Sequence, residues 1–475
     1  MSTFVQSTLT NDSLTANGMA TNSTSFNRCL DLFFIAGASR NMSDEDIQKA
    51  FVSAYSENNE VALRILFWAR DVRGGAGERR FFRIVLSFIT ENYPEISRKV
   101  STLIPEFGRW DDVFSGDRET AIQMIQDALN GSDGLCAKWM PRKGEWFNTM
   151  RKSMGLSPKE YRKLLVNLTK VIETQMCNKE FDKINYEQVP SVAFNKYSRA
   201  FGRNDKDRFS TFLNKASEGE AKINAGVIFP HDITKKLNPY NREDSKAQIE
   251  QWNQLPNYME GCDERIIPVC DVSGSMTGLP MEVSVSLGMY ISERNEGPFK
   301  DAFITFSGDP QMQYLKGDVW ERAKQLRKAE WGMNTNLEAT FDLILNSAIK
   351  NNLPENEMPT KILIISDMEF DEAISTRSWY GNRDNEFEYN QTALEMIEEK
   401  YKKAGYQIPG IIFWNVNGRM GNVPVKAHDK NTALISGFSP SILTSILGGG
   451  DFNPTQVMLD TIGKERYNLI QTAIQ

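Results

Sequence analysis

The sequence predicts a multidomain chain, an all-α half followed by an α/β half. Three observations carry that reading. From residue 28 to about 220, apolar side chains recur at the spacing of one helix face. From about 262, short continuous apolar runs alternate with helical stretches, the pattern of a parallel sheet covered on both faces. Charge divides near the same place: residues 1–250 hold 35 Lys+Arg against 32 Asp+Glu, and residues 251–475 hold 20 against 30.

Taken in order, residues 1–27 are rich in Ser, Thr and Asn and read as a flexible N-terminal arm or a segment that docks on something else. Residues 28–225 form the helical domain. Ala121, Ile122, Ile125, Ala128 and Leu129 share one face, as do Tyr161, Leu164, Leu165, Leu168 and Ile172. Further helical runs fall at 43–57, 59–70, 79–92 and 206–217. Gly74-Gly75, Gly131-Ser132 and Ser157-Pro158 punctuate them. Many short amphipathic helices with brief turns predict stacked helical hairpins, a solenoid or ring, although no exact repeat marks a regular array. Residues 226–261, with Pro230, Pro239 and Pro256, read as a linker carrying one polar helix near 243–254. Residues 262–475 form the α/β domain. Its strands are expected at 265–270, 302–306, 361–365, 408–414 and 432–435, with helices at 281–294, 318–329, 337–349, 388–404 and 440–448.

Composition excludes several classes. With 40% hydrophobic and 11% aromatic residues, the chain can build sizeable cores and is not a disordered tail. No run of 18 apolar residues marks a membrane span. The first residues lack the basic and apolar regions of a secretory leader. Five cysteines, Cys29, Cys136, Cys177, Cys262 and Cys270, are an odd count with no CxxC pair. A disulfide framework and a thiolate zinc site are therefore not expected, and a reducing cytoplasm fits. The two histidines, His231 and His428, read as structural or surface residues.

One constellation carries chemistry. Asp271-Val272-Ser273-Gly274-Ser275-Met276 follows the first apolar strand directly. Gly274 permits a tight turn, so Asp271, Ser273 and Ser275 can converge. In open parallel sheets, ligands gather at the carboxyl ends of strands. Thr335, just before a helix, and Asp367, at the end of the strongest apolar strand, fall at comparable positions. Two carboxylates and three hydroxyls, completed by water, make an oxygen shell suited to one Mg²⁺, with a position open to a partner's carboxylate or phosphate.

On these residues, 262–475 resembles a von Willebrand factor A (vWA) domain, with Asp271–Met276 as its metal-ion-dependent adhesion site (MIDAS). The resemblance implies a Rossmann-like fold. It implies that Ser273, Ser275 and Thr335 bind Mg²⁺ directly, with Asp271 and Asp367 acting mainly through water. In the first half, Arg70–Arg80 (RDVRGGAGERR), Phe107–Asp112 (FGRWDD), Ala137–Pro141 (AKWMP), and Val189–Phe194 with Phe209-Ser210 resemble signatures of Ro/TROVE-type proteins. The match is closest to an uncharacterised bacterial and viral branch. That resemblance implies a HEAT-like helical ring closed by the vWA domain, with small noncoding RNA on its basic surface and single-stranded ends in its cavity.

The residues offer two readings of the basic segments. Gly74, Gly75 and Gly77, flanked by Arg73, Arg79 and Arg80 before a helix, either cradle an anion or form a tight turn with surface ion pairs. No GK[ST] follows, so this is not a nucleotide P-loop. Residues 151–215 hold 14 basic against 7 acidic residues. In 138–170, Lys138, Arg142, Lys143, Arg162 and Lys170 interleave with Trp139, Trp146, Phe147 and Tyr161. This segment either binds phosphates and stacks bases, or is a set of solvated helix faces over core aromatics. Two functions follow: a ribonucleoprotein scaffold that binds RNA, or an assembly module whose metal takes an acidic group of a protein partner. Oligomeric state is left open. Catalysis is not expected. A haloacid-dehalogenase-type phosphatase needs a second Asp where Ser273 stands, and Glu369 and Asp371 are the only base candidates near the motif.

Overall fold

The computed structural model describes residues 13–169, 171–306, 310–327, 335–371, 393–447 and 452–475. Lys170, residues 332–334 of the Thr335 loop and residues 388–392 of the expected helix lie outside them. The chain divides into two compact units. One comprises Met1–Ile65, Phe229–Arg242 and Asn257–Gly463; the other comprises Leu66–Ile228, Glu243–Pro256 and Lys464–Gln475.

The first unit is built on a six-stranded sheet. A hairpin of β1 (Ser13–Leu14) and β2 (Ala20–Thr21) precedes it. The sheet strands are β3 (Ile266–Cys270), β4 (Ala302–Thr305), β5 (Gln311–Tyr314), β6 (Lys361–Ser366), β7 (Gly410–Asn415) and β8 (Thr432–Ser436), in the order β5-β4-β3-β6-β7-β8. All neighbours are parallel except β4 and β5. Strands β3, β6, β7 and β8 are buried at every residue, which explains their unbroken apolar sequences. The antiparallel edge β5 (QMQY) escapes the sequence reading because its polar, part-exposed residues carry no apolar run. The helix Leu279–Arg294 lies against β3 at close range: a Cβ on Gly288 would stand 2.1 Å from Cys270 Sγ. Among the described residues, no helix is long and apolar enough to cross a membrane. All five cysteines are free, and burial pushes the Cys29, Cys136 and Cys270 thiols up to about 12.

Three expected boundaries move: residues 28–65 group with the sheet unit, the linker is divided, and Lys464–Gln475, expected in the α/β domain, groups with the helical unit. The described part of the arm is packed: Thr15 Oγ1 donates to Phe370 O, and Asn22 and Val423 exchange backbone hydrogen bonds. The helix Arg28–Ala36, expected in the helical domain, belongs to the sheet unit. Asn27 caps it through Leu30 N, and its carbonyls at Phe33 and Phe34 accept from Ser436 and Asn415 at the ends of β8 and β7. The expected linker is divided as well. Phe229–Arg242 belongs with the sheet, while Lys246–Asn253 is a buried helix of the other unit. There Gln248 donates to Ser198 Oγ and Gln251 to Ser191 O. The polar sequence that looked like linker directs these amide donors to hydrogen bonds inside a core, while Gln251 Oε1 stays without a described partner.

His231 is the structural histidine of the sheet unit, 3% exposed and stacked on Phe229, with Phe438 edge-on. His428 is exposed. Burial, aided by Arg40 and Lys235, holds the His231 imidazole down at about 3. The unfolded chain therefore takes up the proton first as pH falls below the ordinary value near 6.5. The neutral ring's stabilisation is complete above that pH and is lost through the interval down to about 3. By pH 4 the loss approaches ~3 kcal/mol at 1.36 kcal/mol per unit. His231→Phe is expected to flatten the fall in melting temperature between pH 6.5 and 4. An unchanged pH profile would refute this.

The second unit is helical, with helices Arg79–Asn92, Pro94–Ser101, Arg118–Asn130, Glu145–Ser153, Pro158–Leu168, Ser191–Asn204 and Lys206–Ser217, among others. Tyr186, Phe194, Phe201, Phe209 and Phe212 form one of its cores, joined by Ala247. Ser157 opens its helix with a reciprocal capping box to Glu160. The residues called Ro-like are mostly structural here. Asp112 is wholly buried and accepts from Arg70 Nε, Arg83 Nε and Arg109 N at 2.7–2.9 Å. Asp71, also buried, accepts from Arg466 and from the Tyr467 hydroxyl.

Candidate functional site

Strands β3 and β6 run side by side in the middle of the sheet, with Cys270 level with Ile365. Their next residues, Asp271 and Ser366, therefore emerge together at the carboxyl edge, where the chain leaves β3 toward β4 on one side and β6 on the other. Ser366 Oγ donates to Asp271 Oδ2 at 2.5 Å, and Ser273 N donates to Asp271 Oδ1 at 2.9 Å. Ser273 Oγ and Ser275 Oγ stand 3.1 Å apart. Asp271, Ser273 and Asp367 are buried, and Ser275 is exposed. Burial, with the charge of Asp367 adding, pushes the Asp271 carboxyl up to about 6. Burial also raises Asp367, while Arg419 and the Ser275 hydroxyl oppose the rise. Four of the five expected ligands thus share one electrostatic cluster.

Thr335 reaches the same edge by another route. Its hydroxyl donates to Glu369 O at 2.7 Å, and its backbone N donates to Asp371 Oδ2 at 2.8 Å. With its proton on Glu369 O, the hydroxyl oxygen offers lone pairs, one of which accepts from Asn17 Nδ2 at 3.4 Å. Between Asp367 and Glu369 sits Met368, buried and left-handed at φ 67°. That conformation is strained for a side chain with a Cβ. Ser366 Oγ holds it by accepting from Met368 N.

The donor set fits a hard cation. Adjacent corners of a Mg²⁺ octahedron with bonds of 2.0–2.1 Å lie about 2.9 Å apart, near the 3.1 Å separation of the two serine hydroxyls. Among the described residues, no three His, Cys, Asp or Glu side chains converge as a metal site, and the cluster pairs its two carboxylates with hydroxyl oxygens.

Sequence reasoning missed four contributors. Arg419 bridges Asp367 Oδ2 at 3.2 Å and Glu369 Oε1 at 3.1 Å. Asn422 donates to Met368 O and Glu369 Oε1. The arm supplies Ala16 N to Glu369 Oε2 and Asn17 Nδ2 to Glu369 O and Thr335 Oγ1. Nothing in the local pattern around residues 16, 17, 419 and 422 marks them, because they are brought there by chain segments distant in sequence.

The expected RNA-contact residues divide. The glycine turn is not an open anion cradle: Arg73, Ala76, Gly77, Glu78 and Arg80 all spend their backbone N–H groups within it. A Cβ on Gly75 would lie 1.9 Å from Trp68 O, so the glycine serves close packing. Arg73 is exposed and donates to Glu106 O; Arg80 is half-buried. Arg79 is exposed, and partial burial of its guanidinium together with the charges of Arg109 and Arg83 holds it below the ordinary value. Lys138 pairs with Glu173 at 3.6 Å beside Trp139, whose ring is covered by Arg109 at 3.8 Å. Arg142, Lys143 and Arg162 are exposed and close together: Arg162 Nε reaches Arg142 O at 3.4 Å and its guanidinium lies 4.7 Å from the Phe147 ring centroid.

Residues 265–472 match a family model described as a domain of unknown function (DUF7788), and residues 15–102 and 148–261 match a second (DUF2828). The crystal structure of the Deinococcus radiodurans Ro (RSR) protein matches over 93% of this chain and 100% of its own, at 12% identity and a TM-score of 0.39. An uncharacterized protein, L728, of Acanthamoeba polyphaga mimivirus is 28% identical over 520 residues, covering 96% of this chain and 88% of that one. Along nearly its whole length, then, the chain is similar to a viral protein of uncharacterised function, as a viral branch of the expected resemblance predicts.

Proposed function

We propose that the chain is a non-catalytic, Ro-like RNA-binding scaffold whose sheet unit carries one Mg²⁺. The observation that supports RNA is the triplet Arg142, Lys143 and Arg162, exposed together beside Phe147 and without an ion pair to any described acidic residue. Three adjacent cations attract phosphates. In the sheet unit, Ser273, Ser275 and Thr335 would hold Mg²⁺, with Asp271 and Asp367 acting mainly through water. The ion supplies a positive charge with a position open to an anionic group of a partner. A scaffold role accords with the state of the two base candidates. Both oxygens of Glu369 already accept, from Arg419 and Asn422 on one side and Ala16 N on the other. Asp371 Oδ2 accepts from Thr335 N, and its Oδ1 stands 3.2 Å from the Thr335 hydroxyl. Hydrogen bonds to neighbouring residues thus hold both carboxylates in place.

The test is fluorescence anisotropy of a short single-stranded RNA at several salt concentrations. Replacing Arg142, Lys143 and Arg162 together by Ala is expected to weaken binding at least tenfold. It should also flatten the slope of log K against log salt by about 2, at ~0.7 per phosphate contact. No binding at low salt, or binding indifferent to the triple change, would overturn the RNA reading. The second reading, a protein partner whose carboxylate completes the metal shell, is favoured by the half-exposed Arg419 at the rim. It predicts binding of an acidic peptide that EDTA abolishes and moderate salt leaves intact.

A further inference from the structure

We propose that Arg419 is a tethered cation that competes with the divalent ion for the charge of Asp367. The inference rests on the metal reading above and concerns its regulation. Arg419 lies in the loop after β7, on the same edge as Asp271 and Asp367. Its two hydrogen bonds, to Asp367 Oδ2 at 3.2 Å and Glu369 Oε1 at 3.1 Å, are longer than the 2.7–2.9 Å usual for a charged pair. Its side chain is 42% exposed, whereas that of Asp367 is fully buried and that of Glu369 is 6% exposed. Water therefore screens the arginine and makes the pair easy to break, while the carboxylates stay fixed.

Glu369 does not depend on Arg419 for its position. Ala16 N at 2.5 Å, Asn422 Nδ2 at 3.3 Å and its own N–H bond to Asp367 Oδ1 already fix it. What Arg419 adds is charge: a guanidinium over two buried carboxylates that have no other cation among their described partners. Arg419 is the cation that offsets Asp367 and Glu369 before a metal arrives. A divalent ion and Arg419 draw on the same carboxylate, and like charges a few ångströms apart repel. Loading the metal thus loosens Arg419 from Asp367. The freed guanidinium faces solvent at the rim, where the anion of a partner approaches the metal. By reciprocity, whatever draws Arg419 off Asp367 strengthens metal binding by the same factor.

The experiment is calorimetric titration of the full-length chain with Mg²⁺, repeated with Mn²⁺ followed by electron paramagnetic resonance. Arg419→Gln is expected to tighten divalent binding by about tenfold, with Arg419→Lys, which keeps the charge, close to wild type. Circular dichroism of each variant in EDTA checks that it is folded. Unchanged or weaker Mg²⁺ binding by folded Arg419→Gln overturns the competition and leaves the metal reading intact. A wild-type chain that binds neither ion overturns both.

Discussion

Asp112→Ala is expected to lower the stability of the helical unit by about 3–5 kcal/mol, the usual loss when one partner of a buried ion pair is removed. Asp112 is fully buried, and Arg70 beside it is 2% exposed, so no water can replace the missing carboxylate. Three donors lose their acceptor at once: Arg70 Nε, Arg83 Nε and Arg109 N. The neighbouring Asp111→Ala is the control. Its partners Arg83 and Arg109 are 34% and 30% exposed, so its loss should stay below about 1 kcal/mol. Urea denaturation, with hydrogen exchange read in Arg79–Asn92, separates the two. Similar small losses for both variants would show that Asp112 is not the keystone of this network.

The second large effect is on the metal. Asp271→Ala is expected to weaken Mg²⁺ binding by at least 100-fold in calorimetry. The sheet unit should keep its melting temperature in EDTA to within a few degrees. The two halves have different causes. Asp271 is one of two carboxylates that give the cluster its charge, and no nearby acid can take its place between Ser273 and Ser366. Yet without metal the same carboxylate is a buried charge facing Asp367, and burial has already raised its pKa. Removing it takes away repulsion as well as two hydrogen bonds. Asp271→Asn, of similar shape, guards against a packing artefact. Unaltered Mg²⁺ affinity would sink the metal assignment, and collapse in EDTA would show that Asp271 is chiefly structural.

Much of the sheet unit was legible because parallel strands are buried on both faces. β3, β6, β7 and β8 spell that burial as unbroken apolar runs. Helices such as Asp44–Glu57, Arg79–Asn92 and Lys206–Ser217 were equally legible, since one buried stripe per helix imposes its period. The Asp271–Ser275 turn could be read as an oxygen cluster because its residues are neighbours in sequence and follow a strand.

What the sequence determined by itself, then, was element type, the order of the strands' chemistry and the oxygen-rich motif at one strand end. All of these follow from local periodicity and near-neighbour spacing. Only the tertiary structure decided which segments belong together. It placed the arm and the helix Arg28–Ala36 with the sheet and the polar helix Lys246–Asn253 in a helical core. It turned the glycine-rich Arg70–Arg80 segment into a packed turn whose backbone donors are engaged internally. And it brought Arg419, Asn422 and Ala16 around Glu369. Those contacts join residues tens to hundreds of positions apart. Their energy depends on burial and distance after folding, and single-chain periodicity contains neither.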